Sequence, residues 1–269
     1  MSRRVCWLAA TALVPCLSAD TECQPHAPCY TEQSITSSAS GTPGALAPNT
    51  LASIYGTNLS FIERAISADD ILAGKLPISL PGTGVHVLVA GLPGHIYYVS
   101  PVQVNFLVPC DLSATEVPIQ LVRDGTAGPT IRLQLREASP ALFQVDGEHV
   151  VASMLDYSVI TAEAPAHPGQ WVILWATGLG PVSPPATYGM IPLQAARIQK
   201  IEDFHVFLDG LAVAEALIGY AGVAPGWAGL YQVNLRLPEG VGDNPEIRIA
   251  VGEEISPPAL RLFVSRAVP

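Results

Sequence analysis

Apolar and polar residues alternate along this chain in short runs, each closed by a turn signal. Val85-His86-Val87-Leu88-Val89 is one run, and Val102-Gln103-Val104-Asn105-Phe106 is another. A period of two sends successive side chains to opposite faces, so each run predicts a half-buried β-strand. Asp124-Gly125, Asp146-Gly147 and Asp209-Gly210 sit between strand-like stretches and predict tight hairpins. One stretch departs from the pattern. Ser60 and Glu63 have capping-box spacing and predict a short helix over 61–73; an ordered loop is the alternative, because Ser67, Asp69 and Asp70 dilute the signal.

The pattern is written twice. Tyr55-Gly56-Thr57-Asn58-Leu59 aligns with Trp175-Ala176-Thr177-Gly178-Leu179, and Val85 to Gly91 with His205 to Gly210. Gln-Val-Asn occurs at Gln103–Asn105 and again at Gln232–Asn234. Closing strands follow at 131–135 and 259–264. Loops vary in length while strands keep their order, as expected for two copies of one unit. Short strands at this spacing, over about 100 residues per copy, predict an all-β chain of two tandem immunoglobulin-like β-sandwich domains. The first spans 44–143 and the second 144–269. The stretches 139–143 and 150–165 read as strands leading into the second unit, which predicts a packed pair with no flexible linker.

Composition adds the compartment. Residues 1–19 read as a signal peptide: Arg3 and Arg4, an apolar run from Val5, then Leu17-Ser18-Ala19 before cleavage. Lipoprotein processing at Cys16 is disfavoured by Pro15, where a small residue is wanted. Cleavage removes two arginines and no acid, so the formal charge moves from −10 by two, to −12. With only Lys75 and Lys200 as lysines, such a chain has no electrostatic footprint for nucleic acid. No later apolar run is long enough to span a membrane.

Cys23 and Cys29 bracket a tight loop in the segment 20–43, and in an oxidising compartment they predict a disulfide. A zinc set of Cys23, His26 and Cys29 lacks a fourth ligand. Cys110 is left over, either a small buried hydrophobe at a strand end or a thiol for a partner chain.

Catalytic patterns are missing from the sequence. It has no Gly-x-Ser-x-Gly elbow, no His-Glu-x-x-His and no phosphate loop, and Gly82-Thr83-Gly84 precedes a strand, not a helix. His86 and His205 occupy matching strand positions, which a repeated fold explains better than two active sites. The expectation is a protein with no enzymatic activity, no metal and no cofactor. A hydrolase is the remote alternative.

Binding is the better class. Tyr220, Trp227 and Tyr231 cluster in a Gly- and Pro-rich loop and its flanks, a candidate platform for a protein or a glycan at the cell surface. The blander reading, and the favoured one, has Trp227 folding back to plug the sandwich end. Trp171, Ile173 and Trp175 share one strand face and read as core. The amides Gln103, Asn105, Gln232 and Asn234 alternate with apolar neighbours. Their repetition marks them as structural, with Asn105 and Asn234 tying a loop or a neighbouring strand to the sheet. Asn58-Leu59-Ser60 matches a glycosylation sequon but reads as a turn.

Several motifs in order resemble a known family. They are APNTLASIYGTNLS (47–60), GLPGHIYYVSPVQVNFLVP (91–109), ASPALF (138–143), PAHPGQWVILWATGLGPVSP (165–184) and YAGVAPGWAGLYQVNLRLPEG (220–240). Together they resemble the uncharacterised Solibacter-type C-terminal domain of secreted acidobacterial proteins. Each half also resembles the immunoglobulin-like domain of plexins and certain transcription factors, through Gly56-Thr57-Asn58-Leu59. The resemblance implies an exported β-sandwich module with no established activity, used for adhesion or protein–protein contact at the cell surface or in the matrix. A carbohydrate-binding module using the loop aromatics is the alternative. Cys110 stands where that family often has a large aromatic residue.

Overall fold

The computed structural model describes residues 23–266, so the signal segment and Cys16 lie outside the described residues. Among those described, every element longer than a single 3-10 turn is a strand. The predicted helix over 61–73 does not form. Its place is taken by strand Arg64–Ala65 and a 3-10 turn at Ala68–Asp70. The capping box sits at Ser67 and Asp70, because Asp70 Oδ2 accepts from Ser67 N and Oγ at 2.9 Å each and from there on no amphipathic turn follows.

Two hydrophobic cores have formed, one per copy. In the first, strands Leu51–Tyr55, Gln103–Leu107 and His95–Val99 lie side by side in one sheet, and Val85–Val89, Glu116–Arg123 and Ile131–Gln134 in another. Ile54, Val104 and Phe106 face Val85, Val87, Ile119 and Leu121 across the sandwich. In the second, Trp171–Thr177, Tyr231–Arg236 and Ile218–Val223 form the larger sheet, with Phe204–Leu208 and Ile247–Val251 opposite. Val172, Leu174, Val233 and Leu235 pack there against Val206 and Ile249. The strands Ala141–Leu142 and Ala152–Met154 both pair with Trp171–Thr177 and extend that sheet.

The repetition reaches fine detail. Both copies bulge at matching places, between Ile96 and Tyr98 and between Ile218 and Tyr220. Each also closes with a parallel bridge, Leu46 to Leu135 in one and Ala166 to Val264 in the other. Asp124-Gly125 and Asp209-Gly210 turn their hairpins with positive φ at both residues, the geometry that two-residue hairpin loops favour.

The N-terminal segment belongs to the first sandwich, which begins before residue 44: Ile35–Ser37 pairs with Leu51–Tyr55 at the sheet edge, and Tyr30 and Ile35 lie in that core. Cys23 and Cys29 form the predicted disulfide, which implies an oxidising compartment. Arg123 is buried and binds the carbonyls of His26, at 2.7 Å, and of Asn58. Its guanidinium lies 3.9 Å from the centroid of the Phe61 ring, a cation–π contact strengthened by desolvation. Cys29→Ser is expected to lower stability by about 2 kcal/mol, the loop-closure value for a short ring. An unchanged urea midpoint would show that Arg123, the Ile35–Ser37 pairing and buried Tyr30 hold the segment without the disulfide.

Candidate functional site

The two sandwiches meet along a seam that the sequence only hinted at. Leu76, Leu107 and Ala228 form a small third core there, with Tyr97, Tyr188 and Ile191 packed against it. Polar bonds flank it. Thr177 Oγ1 accepts from Leu51 N at 3.0 Å and donates to Gly229 O at 2.7 Å, and Tyr97 OH donates to Ala228 O at 2.7 Å. Two ion pairs cross lower down, Arg136 to Glu254 at 2.5 Å and Lys200 to Glu137 at 2.7 Å. These pairs are solvent-exposed and contribute little by themselves. The apolar contacts and buried hydrogen bonds fix the angle between the units.

Tyr231 belongs to this seam and not to the surface. Its side chain is fully buried, and its hydroxyl donates to Gly180 O at 2.7 Å while accepting from Asn49 Nδ2 at 3.2 Å. Strand alternation explains the correction. Tyr231 shares the inward face with Val233 and Leu235, so it cannot join a surface platform. Tyr220 is half-buried, its hydroxyl donating to Ala196 O and Val223 O at 3.0 and 2.8 Å. Trp227 goes the other way: it is 57% exposed on the turn between those strands, and does not plug the sandwich end. The end is closed from below by Ala228 and Leu107, which leaves the indole outside.

Trp227 has apolar company. Leu72, Met190 and Leu193 are exposed too, Leu193 at 89%. They stand on loops that hydrogen-bond to one another: Ile191 N to Gly74 O at 2.9 Å, Leu76 N to Gly189 O at 2.8 Å, and Gly226 N to Pro192 O at 2.8 Å. A cleft of about 400 Å³ runs along the seam between Asn49, Cys110, Glu137 and Gln199. Burial, and then the charge of Asp111, push the Cys110 thiol up to about 12, so the thiol stays protonated at neutral pH. A protonated thiol is a weak nucleophile, and Cys110 behaves here as a polar lining residue.

His95 gives the seam a pH dependence. It is buried, its Nδ1–H donates to Leu76 O at 2.6 Å, and its ring meets Tyr188 edge-on at 4.6 Å. Burial lowers its pKa from the ordinary imidazole value, against the opposing bond to Leu76, with the charge of Lys75 acting in the same direction as burial. The folded state therefore excludes a proton that the unfolded chain takes up. Stability from this residue is complete above the unfolded value, near 6.5, and is lost as pH falls toward the folded one. We expect the melting temperature to drop between about pH 7 and pH 5, and His95→Gln to flatten that slope. A slope unchanged in the variant would sink this assignment.

The amides lie on the outer sheet faces, half-buried. Asn105 Oδ1 accepts from Ser53 Oγ at 2.9 Å on the neighbouring strand and from Gln103 Nε2 at 2.8 Å, so it makes the cross-strand tie. Among the described residues Asn234 Oδ1 accepts only from Gln232 Nε2, at 2.8 Å on its own strand, and ties nothing across. The residue facing Asn234 is Ile173, which has no hydroxyl where the first unit has Ser53. Trp171 and Trp175 also lie outside the core: Val172, Leu174 and Ala176 supply the inward face of that strand.

Neither a protein-family model nor a curated protein matches the sequence. Among solved structures, the chain is similar to the SGBP-B protein of a mixed-linkage glucan utilization locus in Bacteroides ovatus, solved with a mixed-linkage heptasaccharide. The identity is 10% and the TM-score 0.31, over 83% of this chain and 44% of that one. A surface glycan-binding protein from Prevotella bryantii aligns with 10% identity and a TM-score of 0.27, over 85% of this chain and 41% of that one. The tandem immunoglobulin repeats of Dlar align with 10% identity and a TM-score of 0.22, over 90% and 96%. This chain thus spans less than half the length of the two glycan-binding structures. No helix among the described residues is long and apolar enough to cross a membrane. The chain is all-β, a tandem of two immunoglobulin-like β-sandwiches.

Proposed function

We propose that this chain is an exported, non-catalytic module that mediates adhesion or protein–protein contact at the outer surface of the cell. The observation that supports it is the apolar cluster of Leu72, Met190, Leu193 and Trp227 at the seam. A cluster of large apolar side chains on loops tied together, in an otherwise acidic protein, is what a contact surface presents. Both loops from the second unit are bonded to the first or to each other, so little conformational freedom is lost when a partner docks. The proposed role needs no cofactor. The ordered motifs from Ala47 to Gly240 support membership of the Solibacter-type family, whose secreted modules this reading fits.

The test is a photo-crosslinking amino acid placed at position 193, with position 163 as an exposed control, in cells that secrete the chain. Position 193 is expected to give adducts with one defined envelope protein, and Trp227→Ala to abolish them. The same adducts from both positions, or none from 193, would overturn the reading.

A further inference from the structure

The outer face of the larger sheet in the second unit carries an arrangement that the seam does not use. Strand Trp171–Thr177 turns Trp171, Ile173 and Trp175 away from the core. Its register sets Trp175 beside Gln232 and Ile173 beside Asn234. The next strand adds Tyr220 beside Asn234 and Gly222 beside Gln232. Tyr157 reaches back over this face from the turn after Ala152–Met154. Its ring centroid lies 6.3 Å from that of Trp175, with the planes 24° apart.

Tyr157 is 64% exposed and has φ 68, a left-handed backbone that disfavours a bulky side chain. The turn is held there by Asp156, whose Oδ1 accepts from Ser158 N at 3.0 Å and Ser158 Oγ at 2.6 Å. An exposed aromatic ring on a strained backbone does little for stability, and such outliers gather where a ligand is held.

The amides on the strand beside Trp175 are only half-satisfied. The bond from Gln232 Nε2 to Asn234 Oδ1 leaves Gln232 Oε1 and Asn234 Nδ2 without a protein partner among the described residues. Both side chains are partly exposed. The face therefore combines two nearly parallel rings with one open acceptor and one open donor, all fixed by strand register. The nearest basic groups on this face are already engaged: Arg197 Nη2 donates to Gly219 O at 2.9 Å, and Arg236 Nε to Gly169 O at 3.0 Å.

The first unit holds the same frame in a reduced form. Tyr55 stands beside Gln103, and Gln103 bonds Asn105 at the same 2.8 Å. There Asn105 Oδ1 is shared with Ser53, which also bonds Ser38 at 2.8 Å. Among the described residues no second ring lies over Tyr55. The amide pair is thus common to both copies, while the overhanging ring and the less committed Asn234 are particular to the second.

We propose that this face of the second sandwich binds a neutral hexopyranose unit of a polysaccharide. A pyranose has an apolar C–H face and a rim of hydroxyls. The C–H face stacks on Trp175 and Tyr157, while Gln232 Oε1 and Asn234 Nδ2 take up adjacent hydroxyls as acceptor and donor. The Arg197 and Arg236 guanidiniums keep their charge and spare donors but bond neither Gln232 nor Asn234, so the rings and the amides carry the recognition of a neutral sugar. The site shares no residue with the Leu72–Trp227 cluster and goes beyond the adhesive role, naming a second ligand for the same module.

The test is calorimetric titration of the full mature chain with cellohexaose, laminarihexaose, maltohexaose and mannohexaose. At least one is expected to bind. Trp175→Ala and Tyr157→Gly are each expected to weaken binding about tenfold or more, the size expected for removing one stacking ring. Trp227→Ala should leave it within about twofold. Tyr157→Gly suits the left-handed backbone, so it keeps the fold while removing the ring. Lack of binding to all four sugars overturns the proposal. So does binding that survives both ring variants, or self-association that Tyr157→Gly abolishes without any effect of sugar. Hexasaccharide recovered intact supports the site as a binding site. Cleaved sugar would overturn the non-catalytic reading and leave the sugar site standing.

Discussion

Tyr231→Ala is expected to lower stability by about 3–5 kcal/mol, the range for emptying a large aromatic site in a packed core. The ring is fully buried among Val233, Leu235 and the inward residues of the facing sheet. Its hydroxyl also joins the sandwiches, accepting from Asn49 of the first unit and donating to Gly180 of the second. Tyr231→Phe separates the two contributions. It keeps the ring and leaves Gly180 O and Asn49 Nδ2 without their partner, which costs about 1–3 kcal/mol. Urea unfolding of the three proteins reads both steps. If Tyr231→Phe matched the wild type while Tyr231→Ala fell as expected, the hydroxyl would have no part in joining the units.

Gly178→Ala is expected to be nearly as damaging, at about 2–5 kcal/mol. The backbone is left-handed there, with φ 75, and an added Cβ would lie 2.1 Å from Ser139 O. That oxygen is main chain and cannot swing aside. Ser139 N also donates to Gly178 O at 2.8 Å, so the two segments are held together at the point of contact. The matching position in the first copy is Asn58, which adopts φ 58. Asparagine tolerates this conformation, so Asn58→Ala, which meets the φ penalty alone, is expected to cost only about 1–2 kcal/mol. Equal losses at the two positions would mean that φ alone sets the cost and the approach of Ser139 adds nothing.

These two sites mark the boundary of what the sequence makes legible. Alternation along 85–89, 103–107 and 231–236 identified the strands, and the offset of the two Gln-Val-Asn motifs identified the copies. Asp124-Gly125 and Asp209-Gly210 located two-residue hairpins, because a positive φ is a local requirement that residue type records. Asp146-Gly147 instead sits in a longer turn closed by the isolated bridge Gln144–Val150, with only Gly147 of the pair at positive φ. Local signals misled at 61–73, where a capping-box spacing had no amphipathic turns behind it and the structure adopts a 3-10 turn in its place.

The aromatic residues were the harder case. Period two shows that Trp171, Ile173 and Trp175 share a face, but says nothing about which face meets the opposite sheet. Ile173 is buried even though it faces away from the opposite sheet, so its apolar character pointed the wrong way. For Trp227, composition favoured burial, while the hairpin tip lies beyond the end of the core. Tyr157 left only a faint trace in the sequence, an aromatic residue between Asp156 and Ser158 in a turn. Its partner Trp175 lies 18 residues away in the chain, and only the pairing of Ala152–Met154 with Trp171–Thr177 brings the rings together.

By itself, then, the sequence determined the strands, the two-fold repetition, the disulfide and the left-handed turns. Each depends on residue type over a few neighbouring positions or on a repeat spacing. The tertiary structure alone decided the seam, the burial of Tyr231, the exposure of Trp227 and the meeting of Tyr157 with Trp175 beside the Gln232–Asn234 pair. The physical reason is that these depend on which sheet faces pack and on how two separate units dock. Those choices are made by contacts between residues far apart in the chain, which no local pattern encodes.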